Sequence, residues 1–256
     1  MNLQRSISLG LYHMRQNSAL GRLATTPLFT AYYHYTRALN KKPAQDRHPV
    51  ILASHARKFL FIGIPKVCTQ SFLRRFFFDS KIRRDLQIEW VEDRQDTIGT
   101  ALSRYGDYYK FSFVRNPWAR ALSCYNSKIN QPTMDKKARI LALYKGLHER
   151  MSFEDFCVWL NTAEGSDEIA DRHWLSQHYF LYDSEGRQIC DFVGRLENLS
   201  RDFVNLAQKL DLPFERLGNT GRITHGANYR EFYTEGSKAL IENRYARDID
   251  LFGYEY

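Results

Sequence analysis

The stretch "KFLFIGIPKVCTQSFLRRFFF" (residues 58–78) predicts a buried strand, a short loop and a helix in direct succession. KFLFIGI is a continuous apolar run, which is typical of a strand covered on both faces in a parallel sheet. The residues after the loop have helical spacing, and the loop PKVCTQS therefore presents amide groups at a helix N-terminus, where an anion is stabilised. An anion-binding loop and an ordinary strand–helix turn are both open readings of this segment by itself.

A second segment, FSFVRNPWARALSCY (residues 111–125), has the same strand–loop–helix order. Arg115 stands at the carboxyl end of the strand, Pro117 suits the first helical turn, and Ser123 follows two turns into the helix. An arginine can fork onto a phosphate while a serine hydroxyl donates from the same side. Two such sites on neighbouring parallel strands would hold a nucleotide with two separated phosphates, although Arg115 taken alone also fits a surface ion pair.

The order of elements predicts an α/β protein with a three-layer, P-loop-like fold, in which a central parallel sheet is flanked by helices. Further strands are expected within LQIEWV (residues 86–91) and ICDFVGRLENL (residues 189–199), and a capped helix is expected to begin at Ser152. The linker-like PAQDRHP (residues 43–49) divides a basic N-terminal extension, residues 1–50, from a main domain, residues 51–256.

The loop lacks the signature of nucleotide kinases. Its lysine, Lys66, comes directly after Pro65, no glycine precedes the helix, and no acidic residue is placed nearby to hold magnesium. A P-loop nucleotide or sugar kinase is therefore the alternative rather than the leading hypothesis. The four cysteines are dispersed, which predicts no metal site and a reducing compartment.

Taken in order, the two segments resemble the sulfotransferases that use 3′-phosphoadenosine 5′-phosphosulfate, most closely the carbohydrate branch. The resemblance continues through HWLSQHYFL, DFVGRLENLSRDF and the last helical region, so that it spans residues 58–254. It implies that the loop residues Pro65, Lys66, Thr69, Gln70 and Ser71 bind the 5′ end of the donor, and that Arg115 and Ser123 bind its 3′-phosphate. Val67, Cys68 and Gln70 depart from the smaller residues that are common in such loops.

The resemblance also implies a catalytic role for Lys66, which would stabilise charge on the bridging oxygen from an exposed loop. The general base is less well defined, since HWLSQH offers His173 and His178, and Asp171 and Glu197 are carboxylates nearby in sequence. His173 is the leading prediction, and a purely structural histidine is the alternative. Late in the chain, Arg222 and Tyr229 would fold over the nucleotide, unless they are ordinary surface residues.

The net charge of +8 suits a polyanionic partner. Because the basic residues are scattered and no nucleic-acid module is present, we expect no nucleic-acid partner and instead a carbohydrate or glycolipid acceptor. Residues 1–45 contain no acidic residue, which fits peripheral contact with an anionic membrane, an organelle-targeting peptide or a helical extension packed on the domain or a partner subunit. The sequence contains no apolar stretch long enough to predict a membrane-spanning helix. A cytoplasmic location is therefore expected.

Overall fold

The computed structural model describes residues 47–92, 97–130, 144–148, 150–214, 216–217 and 228–256. The acid-free segment 1–45 and Arg222 lie outside the described residues, so the predictions made for them stay predictions. Within the described part of the chain, no helix is both long enough and apolar enough to cross a lipid bilayer.

Five strands form one mixed sheet in the order β3-β1-β2-β4-β5. They are β1 (Val50–Ser54), β2 (Phe59–Gly63), β3 (Ile88–Val91), β4 (Tyr109–Val114) and β5 (Phe192–Arg195). Strands β2, β4 and β5 are parallel, as predicted for the centre of the sheet. Strand β1 is antiparallel to both β2 and β3, a hairpin that the single predicted strand did not include. The α/β fold class is confirmed, with this antiparallel extension on one side of the parallel strands.

Nine α-helices and a π-helix cover the sheet within the described residues. The helices are α1 (Thr69–Phe72), α2 (Ser80–Asp85), α3 (Thr97–Arg104), α4 (Pro117–Lys128), α5 (Phe153–Leu160), α6 (His178–Leu181), α7 (Leu199–Lys209), α8 (Glu235–Arg244) and α9 (Ala246–Phe252), and the π-helix, Leu73–Phe78, continues α1. The start of α4 is fixed by Asn116, whose side chain accepts hydrogen bonds from the next two free amides. Helix α5 begins at Ser152 with the predicted capping box.

Alternating side chains place an apolar layer on each face of the sheet. On one face, Phe61 of β2 stacks on Phe72 of α1 with ring centroids 4.2 Å apart, and Phe111 and Phe113 of β4 surround the same ring. On the other face, a smaller cluster that includes Leu60 packs with Ala101 of α3. Phe72 therefore packs α1, the helix that follows the first loop, against strands β2 and β4.

We expect Phe72→Ala to lower the free energy of unfolding by about 3–5 kcal/mol, because it deletes a fully buried ring and leaves a cavity. Urea or thermal unfolding would measure the loss. Phe232→Ala is the matched control, since Phe232 is 53% exposed and its truncation should change stability by no more than about 0.5 kcal/mol. Equal losses in the two variants would contradict the central position given to Phe72.

Candidate active site

The loop between β2 and α1 is closed by its own hydrogen bonds. The Thr69 hydroxyl donates to the carbonyl oxygens of Ile64 at 2.5 Å and Val67 at 3.2 Å, and the Val67 amide donates to Ile64. Lys66 has φ 70° and Cys68 has φ 38°, so two residues that are not glycine adopt the left-handed conformation. Such residues cost about 1–2 kcal/mol each and cluster at functional sites. The loop thus reaches, without glycines, a turn in which successive amides can face an anion.

Gly63 is the one glycine that this loop requires. A Cβ atom placed there would lie 2.9 Å from Cγ2 of Thr69 and 2.9 Å from the Phe61 ring. Because Gly63 has no side chain, Thr69 can pack against the end of β2. In that position its hydroxyl makes the hydrogen bonds that close the loop. Thr69 accordingly shapes the loop with its hydroxyl, whereas the sequence predicted that hydroxyl as a donor to the ligand.

Arg115 joins the second strand end to this loop. Its Nη1 donates to the carbonyl oxygen of Lys66 at 3.2 Å, so the two predicted anion sites are adjacent. The Gln177 side chain holds the Arg115 backbone, donating to its carbonyl oxygen and accepting from its amide, both at 2.9 Å. The amides of Gln177 and His178 in turn donate to the fully buried carboxylate of Asp248 on α9. Gln177 and Asp248 were not predicted as site residues, because their pairing spans 71 residues and leaves no local pattern.

Glu197 fixes the turn that follows β4. Its Oε1 accepts from the Asn116 amide at 2.7 Å, and its Oε2 accepts from the Tyr254 hydroxyl at 3.1 Å. Burial lowers the pKa of Arg115, and the charge of Glu197 opposes that shift. Since one carboxylate oxygen holds the turn and the other accepts from Tyr254, Glu197 is a supporting residue and a poor candidate for the general base.

Three cations, Lys66, Arg115 and Arg120, converge on the loop, and Glu197 is the carboxylate whose charge acts on Arg115. Arg120 on α4 is 2% exposed, and its guanidinium donates to the carbonyl oxygens of Pro65 at 3.3 Å and Arg172 at 3.4 Å. Within the described residues, no carboxylate forms an ion pair with Lys66, Arg115 or Arg120. Because buried charge is costly unless it is paired, this arrangement favours an anionic ligand.

Arg120 was not among the predicted binding residues. The signal was present, since it stands one helical turn after the Asn116 cap and so faces back toward the preceding loops.

Lys66 is more buried than the sequence indicated. Burial lowers its pKa from 10.5 to about 8, and the charges of Lys128, Arg115 and Arg120 act in the same direction. The expectation of an exposed loop lysine is therefore wrong. The lysine stays mostly protonated at pH 7, and a bound anion would raise its pKa again.

His173 and His178 occupy different surroundings. The imidazole of His173 hydrogen-bonds through Nδ1 to the Asp171 carboxylate, which also accepts from the His173 amide at 2.9 Å. Burial lowers the pKa of His173 below its usual value against the opposing effect of Asp171, so the ring is neutral near pH 7. His178 instead contacts Asp248 through Nδ1 at 2.7 Å and belongs to the support beneath Arg115. His173 is thus the stronger candidate base of the two.

The His173 segment lies beside the loop. The carbonyl oxygen of Arg172 accepts the Arg120 hydrogen bond, and Arg120 also reaches Pro65. Burial raises the pKa of the Cys124 thiol on α4 to about 11, and the charges of Lys66 and Asp171 act on that pKa in opposite directions. The predicted general base, His173, and the predicted catalytic lysine, Lys66, therefore both belong to segments that contact α4.

The remaining predicted residues differ in position. Gln70 is exposed, Ser71 is buried, and Ser123 is half-buried on α4 next to Cys124. Tyr229 lies in an aromatic cluster with Tyr233 and Tyr256, at ring-centroid distances of 6.3 and 5.7 Å. That cluster adjoins Trp118, which contacts Tyr256 at 5.4 Å, but no hydrogen bond among the described residues links Tyr229 to the loop.

Known proteins match most of this chain. The family described as "Sulfotransferase family" matches residues 49–255. Carbohydrate sulfotransferase 14 of Danio rerio is 24% identical over 235 residues, covering 80% of this chain and 62% of the relative. The Homo sapiens protein of that name is 24% identical over 232 residues, with 80% and 60% covered, and the Mus musculus protein is 27% identical over 173 residues, with 59% and 44% covered. The chain thus spans less than two thirds of these relatives, and no solved structure matches it.

We expect Lys66→Met to raise the free energy of unfolding by up to about 3 kcal/mol at pH 7, because it removes a charge that burial disfavours. Between pH 8 and 10.5 the unfolded lysine holds a proton that the folded lysine has lost. Wild-type stability should therefore rise through that window, and the advantage of the variant should disappear above it.

Urea unfolding of both proteins across pH 7 to 10.5 would measure this difference. Lys209→Met, at an exposed lysine of α7, is the control and should show no such pH-dependent gain. A Lys66→Met protein less stable than wild type at pH 7 would contradict the buried-charge interpretation.

Proposed function

This chain belongs to the sulfotransferase family, and from that premise we propose that it moves a sulfuryl group from 3′-phosphoadenosine 5′-phosphosulfate to a hydroxyl of a carbohydrate or glycolipid. Membership confirms the resemblance seen in the order of the motifs. The observation that carries the proposal is the cluster of Lys66, Arg115 and Arg120, which form no ion pair among the described residues, at the carboxyl ends of two neighbouring parallel strands. A donor with phosphates at both its 5′ and 3′ positions supplies anions for both strand ends.

Each end of the donor has a proposed set of contacts. Lys66 and amides of its loop bind the phosphosulfate, because left-handed residues such as Lys66 and Cys68 are typical of turns that bind anions. Arg115 and Ser123 bind the 3′-phosphate from β4 and α4. Arg120 acts from beneath the loop, since its guanidinium holds the Pro65 carbonyl and adds positive charge close to Lys66.

Transfer forms a bond between the acceptor oxygen and sulfur and breaks the bond between sulfur and the bridging phosphate oxygen. The electron pair of the broken bond stays on the bridging oxygen as adenosine 3′,5′-bisphosphate leaves, and Lys66 stabilises the charge there. The acceptor proton passes to Nε2 of His173, because Nδ1 is engaged by Asp171. Asp171 thereby fixes the tautomer and the orientation of the ring.

A carbohydrate acceptor is proposed from the relatives, three of which are named carbohydrate sulfotransferases. They support sugar sulfation as a class, while the partial coverage of their length leaves the sulfated position open to assay. Transfer of labelled sulfate to a panel of glycans and glycolipids would identify the acceptor.

We expect adenosine 3′,5′-bisphosphate to bind without magnesium and with uptake of about half a proton at pH 8, because the anion raises the pKa of a half-protonated Lys66. Calorimetry in buffers of different ionisation enthalpy would measure the uptake, with ATP titrated in parallel with and without magnesium. Lys66→Ala should abolish transfer and the proton uptake. Arg115→Ala should weaken bisphosphate binding about 100-fold, since it leaves a buried phosphate partner unpaired.

Wild-type turnover in Lys66→Ala, or unchanged bisphosphate affinity in Arg115→Ala, would remove the role assigned to that residue. Binding of ATP with magnesium and not of the bisphosphate would favour a kinase. Lys209→Met serves again as the control, with affinity and uptake equal to wild type.

We expect His173→Ala to lower kcat by about 10²–10⁴ while leaving bisphosphate affinity unchanged, because the ring acts on the acceptor proton. Single-turnover transfer assays beside calorimetry would separate the two effects. The exposed His148 provides the control variant, His148→Ala, which should turn over like wild type. A His173→Ala enzyme with full kcat would leave His173 as a structural residue held by Asp171.

A further inference from the structure

Four cationic side chains lie on the exposed surface of the π-helix and α2. They are the exposed residues Arg74, Lys81, Arg83 and Arg84, here called the cationic patch. Within the described residues, none of the four forms an ion pair with a carboxylate. Of the nearby acids, Asp79 caps α2 and pairs with Arg75 at 3.4 Å, and Asp85 and Glu92 are exposed. The patch therefore carries a net positive charge.

Aromatic rings adjoin these cations. The Arg83 guanidinium lies 4.4 Å from the ring centroid of Phe77, and that ring contacts Trp90 of β3 at 5.2 Å and Phe78 at 5.5 Å. Phe78 is 44% exposed. The patch thus combines apolar aromatic surface with positive charge, as membrane-interface segments do.

The part of the patch at Arg83 and Arg84 lies toward the end of the sheet opposite the candidate active site, because α2 leads directly into the start of β3. Strand β3 begins at Ile88, which is opposite Ser54, and Ser54 is opposite Phe59 at the start of β2. The Lys66 loop follows Gly63 at the other end of β2, roughly 13 Å away along the strand. A sugar that reacts beside Lys66 would not cover this surface.

Two cations at that end of the sheet are paired with carboxylates, whereas Lys110 and Lys209 there form no ion pair among the described residues. Arg57 pairs with Asp211 at 3.2 Å, and Lys58 pairs with Asp107 at 3.6 Å. The cationic patch differs from these residues in placing four exposed cations together beside the aromatic surface of α2 and the π-helix.

We propose that the cationic patch docks this protein on the surface of an anionic lipid bilayer, with the Lys66 edge of the sheet facing the surrounding solution. Arginine and lysine are attracted to acidic headgroups, and aromatic rings settle at the boundary between headgroups and acyl chains. A soluble polyanion would use the charges and leave the aromatic surface in water, so the bilayer accounts for both features. This surface is separate from the membrane contact predicted for residues 1–45, and the inference does not depend on the donor or acceptor.

The first test is sedimentation of the full chain with phosphatidylcholine vesicles that contain or lack phosphatidylserine. Arg83→Gln together with Arg84→Gln should weaken binding to the anionic vesicles roughly 30-fold, because two charges are lost from the docking surface. The control carries the same charge change elsewhere, as Arg201→Gln with Arg247→Gln at exposed arginines of α7 and α9, and should bind like wild type. Thermal unfolding would verify that both double variants fold.

Trp90 provides an internal reporter of orientation. The chain has four tryptophans, and Trp118, Trp159 and Trp174 are buried, whereas Trp90 is partly exposed beside Phe77. Vesicles that contain brominated lipid should quench tryptophan fluorescence on binding, and Trp90→Phe should abolish that quenching without changing affinity.

Wild-type affinity in the Arg83, Arg84 variant would overturn the proposal, as would vesicle binding without quenching of Trp90. Patch-dependent binding of a soluble sulfated polysaccharide, with no vesicle binding, would overturn it in favour of a polyanion site.

Discussion

The hydrogen bond from the Arg115 guanidinium to the Lys66 carbonyl is the contact through which the two strand ends become one site. Its geometry depends on Gln177, whose side chain hydrogen-bonds to the Arg115 backbone. The buried carboxylate of Asp248 in turn accepts a hydrogen bond from the Gln177 amide. A helix near the end of the chain, α9, thus sets the position of a side chain that follows β4. The site is local in space but depends on residues more than 130 positions apart.

Backbone strain and buried charge at the site lower the stability of the folded state, and the packing of the hydrophobic core compensates for that loss. Two left-handed residues, Lys66 and Cys68, and a group of buried cations all raise the energy of the folded state. The stacked ring of Phe72, one residue past Ser71, fastens the helix that follows the loop onto the sheet. Strained or charged groups persist where the surrounding packing leaves them no other conformation.

Local patterns in the sequence were sufficient to predict the strands, loops and helices around the site. The apolar run before Pro65, the proline after Asn116 and the capping box at Ser152 each depend on neighbours within a few positions, so strand, loop and helix could be predicted. The antiparallel β1 could not, because VILAS reads equally as part of one longer strand. The burial of Lys66 depends on α4 and on the distant support of Arg115, which no local pattern encodes.

Positive charge near the site also bears on the order of the proposed reaction, since Lys128 lowers the pKa of both Lys66 and His173. Before the donor binds, Lys128 and Arg172 reinforce the effect of burial and hold the pKa of His173 low, so its ring is a weak base. The phosphates of the donor would offset that positive charge, and the proton affinities of both Lys66 and His173 would rise together. The group that takes the acceptor proton thus becomes more basic when the leaving group is in place. In the proposed mechanism, donor binding therefore activates the site, because its phosphates offset the positive charge that lowers the pKa of both side chains.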